Sequence, residues 1–301
     1  MITLAVIIVS WNVRDLLDRC LQTLRQDLAR TAADARVWVV DNASEDGSAA
    51  LVQERHPWVA LELPGENIGF VRGNNRILER FCAGGMPDFV WLLNPDTQIQ
   101  PGATQALLDA FTALPQAGLI GPRLHNPDGS LQHSAFRFPG VFQPLMDLGM
   151  LPMRFYESRL NGRYSPKDYT RQSPFRVDYP LGAAMMARGV AVKEVGPLDE
   201  AFFMYCEEID WAWRMKKAGW QTWLIPQARI THYGGASTSQ ARPQTTAHLW
   251  QSRARLYSKH RPGALRAFVR AAVRRHFQRA LNQKAEPEWR RAIERILQAW
   301  N

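Results

Sequence analysis

The chain has 301 residues, 46% of them apolar, and a formal net charge of +9, enough for one large globular domain or two small ones with a buried core. Its three cysteines, Cys20, Cys82 and Cys206, form no CxxC pair, which argues against a disulfide framework and a structural zinc site and fits a reducing compartment. The opening MITLAVIIVS lacks a basic n-region and does not read as a signal peptide, and no apolar run approaches the roughly 18 residues of a membrane span.

Charge is unevenly placed. Residues 246–301 carry 13 Lys and Arg against 3 Asp and Glu, whereas residues 1–245 carry 24 against 25. The reading is a near-neutral body over 1–245 and a basic helical extension over 246–301, suited to an anionic partner.

Leu4–Val9 is a continuous apolar run, as in a strand buried on both faces. Leu16, Leu17, Leu21, Leu24 and Leu28 recur at helical spacing within Asp15–Arg30. Arg36–Val40 is a second buried strand, and it ends in the turn-rich Asp41–Ser48. A helix over Ala49–Arg55 and a short strand over Trp58–Leu63 follow. This alternation predicts an α/β fold with a mainly parallel sheet, right-handed crossovers and ligands beyond the carboxyl ends of the strands.

Phe89–Leu93 is another buried strand, followed by a helix over Gly102–Leu114 and a turn at Asn126–Gly129. Phe136–Arg176 reads as long loops with short helices. Leu181–Ala187 and Thr222–Ile225 are the last strands of the body. Thr231–Ser239 is Gly/Ser-rich and reads as mobile, and helices are expected over Ala247–His260 and Gly263–Leu281.

The stretch Ala201–Arg214, AFFMYCEEIDWAWR, sets Glu207, Glu208 and Asp210 among aromatics. On a helix Glu207, Asp210 and Arg214 share a face, and Glu208 points about 100° away. Burial beside aromatics and a like-charged neighbour both raise a carboxyl pKa, which is how a general base is tuned. The competing reading is acidic decoration of a helix N-terminus.

Asp41, at the end of a strand, suits a nucleobase imide or a ribose hydroxyl, or is a turn-forming Asp. Asn67, Gly69, Arg72 and Asn75 lie on one segment, NIGFVRGNN, whose backbone N–H groups, amides and guanidinium suit a phosphate or ribose; capping and close packing are the alternative. Asn94-Pro95-Asp96 ends a strand with an acid, as Mg²⁺ or Mn²⁺ on a diphosphate requires, or forms an Asx turn. His232, before a Gly-rich loop, is a second candidate metal ligand, although a lone His is more often structural. No GxxxxGK[ST], GxSxG or HExxH occurs, so a P-loop and covalent catalysis have no support.

Taken in order, VIIVSWN (6–12), VDNASEDGS (40–48), NIGFVRGNN (67–75), LLNPDT (92–97), LGAAMMARG (181–189), EVGPLDEAFFMYCEEIDWAWRMKKAGW (194–220) and ITHYGG (230–235) resemble the inverting family 2 glycosyltransferases with a GT-A fold. The nearest look is to the bacterial rhamnosyltransferase-like branch. The resemblance implies that Asp41 holds the base or ribose of a nucleotide sugar. It implies that Asp96 is the last acid of a DxD element holding Mg²⁺ or Mn²⁺, with Asn94 in place of the first acid and His232 completing the metal site. Glu208 matches the base, with Glu207 and Asp210 as alternatives. Ser10 and Asn12 join the nucleotide-sugar contacts.

The function expected is inverting transfer of a sugar, rhamnose among the candidates, from a nucleoside diphosphate-sugar to a lipid-linked or glycan acceptor in cell-surface polysaccharide synthesis. The alternative is a non-catalytic nucleotide-sugar or glycan-binding module, favoured if Glu208 and Asp96 do not share a cleft. Leu265, Phe268, Val269, Ala272 and Phe277 form an apolar stripe bordered by Arg266, Arg270, Arg274, Arg275 and Arg279, which suits a helix lying on an anionic membrane. The other readings pack that stripe on the body or on a second copy of the chain. No nucleic-acid partner is expected, and the expected location is the cytoplasm, peripheral on the inner face of the cell membrane.

Overall fold

Every residue from Leu4 to Ser10 is buried, so β1 (Thr3–Ser10) can only sit inside a sheet covered on both faces. The computed structural model describes residues 1–234, 242–283 and 286–301. After β1 come α1 (Arg14–Leu28), β2 (Asp34–Asp41), α2 (Ser48–Arg55), β3 (Ala60–Glu62), α3 (Gly69–Gly84) and β4 (Phe89–Leu93). β1 pairs in parallel with β2 and β4, and β2 with β3. Leu17, Leu21 and Leu24 of α1 cover one face against Val6 and Ile8, while Val71, Ile77 and Leu78 of α3 cover the other against Ile7 and Val9.

The second half contains β5 (Thr97–Ile99), α4 (Ala103–Ala113), β6 (Ala117–His125), β7 (Leu131–Gln132) and β8 (Ala135–Phe136). Then come α5 (Phe142–Asp147), α6 (Pro166–Tyr169), β9 (Phe175–Val177), β10 (Tyr179–Pro180), β11 (Ala184–Arg188), α7 (Gly189–Val195), α8 (Glu207–Lys217) and β12 (Gln221–His232). The sheet runs β3-β2-β1-β4-β11-β6-β12-β5, with β7 and β9 attached to β6 and β12. β11 lies antiparallel between β4 and β6, so the sheet is mixed, as expected. β12 is longer than the expected Thr222–Ile225. It continues through Pro226 at an irregularity where the register against β6 shifts between Ile225 and Arg229, which spares the proline a ladder bond.

Three helices close the chain: α9 (Arg242–His260), α10 (Gly263–Asn282) and α11 (Pro287–Ala299). Val269, Val273 and Phe277 of α10 pack with Trp250 and Tyr257 of α9 and with Ile293 and Ile296 of α11. The apolar stripe therefore faces its own neighbouring helices, and only Phe268 of that set stands largely exposed. α9 is also sewn into the body: Ser252 Oγ donates to the Met204 carbonyl at 2.7 Å, and Leu256 joins a core cluster of the body. Of the expected mobile stretch, Thr231 and His232 belong to β12, and residues 235–239 lie outside the described residues. Among the described residues no helix is long and apolar enough to cross a membrane.

Candidate active site

A cavity of about 630 Å³ opens at the carboxyl ends of β1, β2 and β4. Ser10 from β1, Asn42 just beyond β2, and Asn94 and Asp96 just beyond β4 form one side. Glu207 and Glu208 of α8 and His232 of β12 form another. Gln244, Thr245 and His248 of α9 complete the wall. Asp41 pairs with Ser10 across adjacent strands, two strand spacings or about 10 Å across the sheet from β4.

This wall is where the fold leaves polar atoms without partners. Ser10 Oγ, Asn42 Oδ1, Asp96 Oδ1, Glu207 Oε2 and Glu208 Oε2 are sealed and unbonded, and so is Asp41 Oδ2. Each such atom costs on the order of 1–3 kcal/mol. Their concentration around one cavity is what a site waiting for a polar ligand requires. The backbone is also strained here: Asn12, Ala43, Tyr205 and Cys206 have φ of 51, 58, 67 and 64°, conformations that L-residues adopt at a cost.

Asp96 is carried on the short link between β4 and β5. The Asn94 N–H donates to the Ala183 carbonyl at 2.8 Å, and the Asp96 carbonyl accepts from the Tyr233 N–H at 2.9 Å, which ties the link to the end of β12. His232 Nε2 is 3.3 Å from Asp96 Oδ1. Its Nδ1 is 2.7 Å from Gln132 Oε1. Gln132 Nε2 donates to Asn126 Oδ1 at 2.9 Å, so the amide oxygen is the atom left for the ring. In the tautomer with the proton on Nδ1, the Nε2 lone pair faces a carboxylate oxygen. Two acceptors facing each other fit a divalent cation that both would coordinate. Among the described residues no group of three or more acidic, His or Cys side chains is placed to hold a metal ion, so further ligands from outside the chain would complete the shell.

α8 begins directly after the left-handed pair Tyr205–Cys206, and this turn aims Glu207 and Glu208 at the cavity. Burial pushes the Glu208 carboxyl up to about 7, against the pull of the backbone N–H groups of the first turn. Burial, and then the Glu208 charge, hold Glu207 well above the usual range. Asp210 behaves oppositely. Burial alone would raise it, but His260, Lys259 and Arg214 outweigh that and hold it well below the carboxylate range.

Of the residues singled out in the sequence, Ser10, Asn67, Gly69, Asn94, Asp96, Glu207, Glu208 and His232 meet at this cavity, and Asp41 lies buried beside Ser10. Besides Asp41, four do not line it. Asn12 Oδ1 accepts from the Glu45 N–H at 2.8 Å and braces the loop after β2. Asp210 is fully buried behind α8. Arg72 and Asn75 are displaced because 69–84 is a helix rather than a phosphate-cradling loop. Arg72 points outward, 3.6 Å from Glu200, and Asn75 exchanges hydrogen bonds with the Leu198 backbone. Gly69 is needed for close approach: its φ is +82°, and a Cβ there would lie 2.7 Å from Phe203. Asn42, Phe203, Tyr205 and the α9 residues are additions. Asn42 and the aromatics sit inside motifs already singled out, whereas nothing in the tail's composition marks His248.

A family model described as "Glycosyltransferase like family 2" matches residues 3–258. The chain belongs to this family. It is a glycosyltransferase, and the match runs through nearly all of α9. The N-acetylglucosaminyl-diphospho-decaprenol L-rhamnosyltransferase of Mycobacterium tuberculosis is 32% identical over 244 residues, covering 79% of this chain and 78% of the relative. Among solved structures, GalNAc-T7 with UDP, GalNAc and Mn²⁺ is similar at a TM-score of 0.55 and 15% identity over 77% of this chain, and S. aureus TarS at 0.55 and 13% over 99%. The chain spans 43% and 49% of those two proteins, respectively. These likenesses show the GT-A fold of the family 2 enzymes.

Proposed function

We propose that this glycosyltransferase moves a rhamnose-type sugar, with inversion, from a nucleoside diphosphate donor to a hydroxyl of a lipid-diphosphate-linked amino sugar. The donor and acceptor classes rest on the mycobacterial relative. The observation that carries the chemistry is that Glu208 and the Asp96–His232 pair line one cavity.

The nucleoside lies against the ends of β1 and β2, where Asp41 Oδ2 accepts from an imide N–H or a ribose hydroxyl and Ser10 and Asn42 supply further polar contacts. Mg²⁺ or Mn²⁺ held by Asp96 Oδ1 and His232 Nε2 would supply positive charge for the diphosphate as it leaves. Glu208 takes the proton of the acceptor hydroxyl, whose oxygen bonds to the anomeric carbon as the bond to the diphosphate breaks on the opposite face. Glu207, held neutral, keeps two adjacent charges from facing each other. Phe70, Leu181 and Phe203 in the wall exclude water that would compete with the acceptor.

A lipid-linked acceptor supports action at a membrane surface. Arg266, Arg270, Arg275 and Arg279 are exposed on α10, and each basic group near an anionic surface is worth about 1 kcal/mol. The free thiols of Cys20, Cys82 and Cys206 suit the cytoplasmic side.

The test is a panel of nucleotide sugars by saturation-transfer NMR, followed by turnover on a short-chain polyprenyl diphospho-N-acetylglucosamine. Selective binding and transfer of dTDP-rhamnose is expected. Transfer of a different sugar overturns the donor, and transfer only to a free glycan overturns the acceptor.

A further inference from the structure

A second cleft of about 310 Å³ shares no lining residue with the catalytic cavity. It lies where β12 resumes its pairing with β6 after the Pro226 irregularity. There Arg229 pairs directly with Arg123 on the parallel neighbour, so two guanidinium stems leave adjacent strands on the same face. Arg171 adds a third cation, and no carboxylate lines the cleft. The nearest compensation is Asp168, 2.7 Å from Arg171, which leaves the other two arginines without an ion-pair partner among the described residues.

Like charges directly opposite on adjacent strands are destabilising. Here Arg123 is partly desolvated as well. Arg123 Nε is sealed and has no hydrogen-bond partner, and its Nη1 makes one long bond, 3.3 Å, to the Tyr169 carbonyl. Burial first, and then Arg229, lower the Arg123 pKa. His125, two residues further along β6, is lowered by burial and then by both arginines. The fold thus holds an uncompensated positive pocket at a bend in the sheet. Strand alternation turns the Arg229 side chain to the face opposite His232, so the pocket is separate from the donor diphosphate.

We propose that the Arg123–Arg229 cleft is a second ligand site, taking a phosphate-type oxyanion between the two guanidinium groups. Paired guanidiniums match the oxygen spacing of a phosphate, and their charge-assisted bonds satisfy donors that the protein leaves unpaired. The shared chemistry is the phosphate group, whether free, on a sugar, or on a lipid headgroup.

The experiment uses the full-length chain and its Arg123→Gln and Arg229→Gln variants. Thermal shift and calorimetry are run at constant ionic strength with inorganic phosphate and with glucose 1-phosphate. Flotation is run with phosphatidylglycerol and phosphatidylcholine vesicles. Wild type should gain stability with at least one phosphate probe, and each variant should bind that probe about tenfold or more weakly. Without phosphate, Arg229→Gln should melt no lower than wild type, because it removes a like-charged neighbour. A response to inorganic phosphate identifies a free anion. A response needing the sugar phosphate identifies a glycan, and one needing the anionic vesicle a headgroup. Absence of any response in wild type, equal responses in both variants, or a large loss of phosphate-free stability in Arg229→Gln overturns the proposal.

Discussion

His260 Nε2 lies 2.7 Å from Asp210 Oδ1, so the last turn of α9 is fastened to the first turns of the helix that presents Glu207 and Glu208. Lys259 Nζ reaches the same oxygen at 2.8 Å, and Arg214 Nε meets the other at 2.9 Å. Trp213 stacks on the His260 ring at 4.6 Å. Asp210 is therefore a buried anchor between α8 and the end of α9. Removing one partner of such a group costs about 3–5 kcal/mol, so Asp210→Ala should lose that much in urea unfolding. Because its folded pKa is depressed, the stability it contributes is complete above the unfolded value of about 4 and is lost as pH falls. Asp210→Asn should correspondingly flatten the acid limb of the stability profile.

Glu208 is predicted to set the alkaline requirement of the reaction. A base must be unprotonated, and its carboxyl stands near 7, so kcat/KM should rise through about pH 7 and level above it. Glu208→Gln should lose about 100-fold or more in kcat with donor Kd unchanged. An intact rising limb in that variant would move the base to Glu207.

Gln132 should matter to metal use although it touches neither donor nor acceptor. It fixes the ring of His232, and loss of such a partner costs about 10- to 100-fold in metal affinity. In Gln132→Ala the Mn²⁺-dependent part of nucleoside diphosphate binding should weaken by about that factor. Asp96→Asn and His232→Ala should abolish the metal dependence. Equal binding with and without EDTA in wild type would refute the cation site.

Membrane contact, if made by α10, should be electrostatic. Its apolar stripe is spent on α9 and α11, which leaves exposed arginines and Phe268 to face a surface. Replacing Arg266, Arg270 and Arg275 with Gln should abolish flotation with anionic vesicles at low salt, and salt alone should do the same to wild type. Val273→Asp should instead unfold the helical extension and lower Tm.

Much of the framework was legible in the chain. Buried runs such as Leu4–Val9 and Phe89–Leu93 became β1 and β4 nearly residue for residue, because a strand covered on both faces has no alternative to continuous apolarity. Asp96 and Glu208 were legible because acids among apolar residues at element ends need a reason. Arg72 and Asn75 follow the alternative reading of NIGFVRGNN, capping and close packing: Asn67 Oδ1 accepts from the Gly69 N–H at 3.0 Å, and Gly69 packs tightly on Phe203. Asp210 and Glu208 are only two residues apart, and their opposite fates depend on Lys259 and His260, which no local pattern connects to α8. β12 outruns Thr222–Ile225 because its register shift beside Pro226 accommodates a proline that a regular central strand would not.

The sheet ends at one side with β3 and at the other with β5, each of three residues, and its side branches β7 and β9 have two and three. An exposed strand edge is a template on which another chain can add itself, and these stubs offer almost no row of open amides to copy. A ten-stranded sheet rich in Val, Ile and Leu would otherwise be a strong seed for aggregation. Short edges give strand-on-strand association little to build on, and destabilised variants should remain dispersed until whole strands, rather than edges, come free.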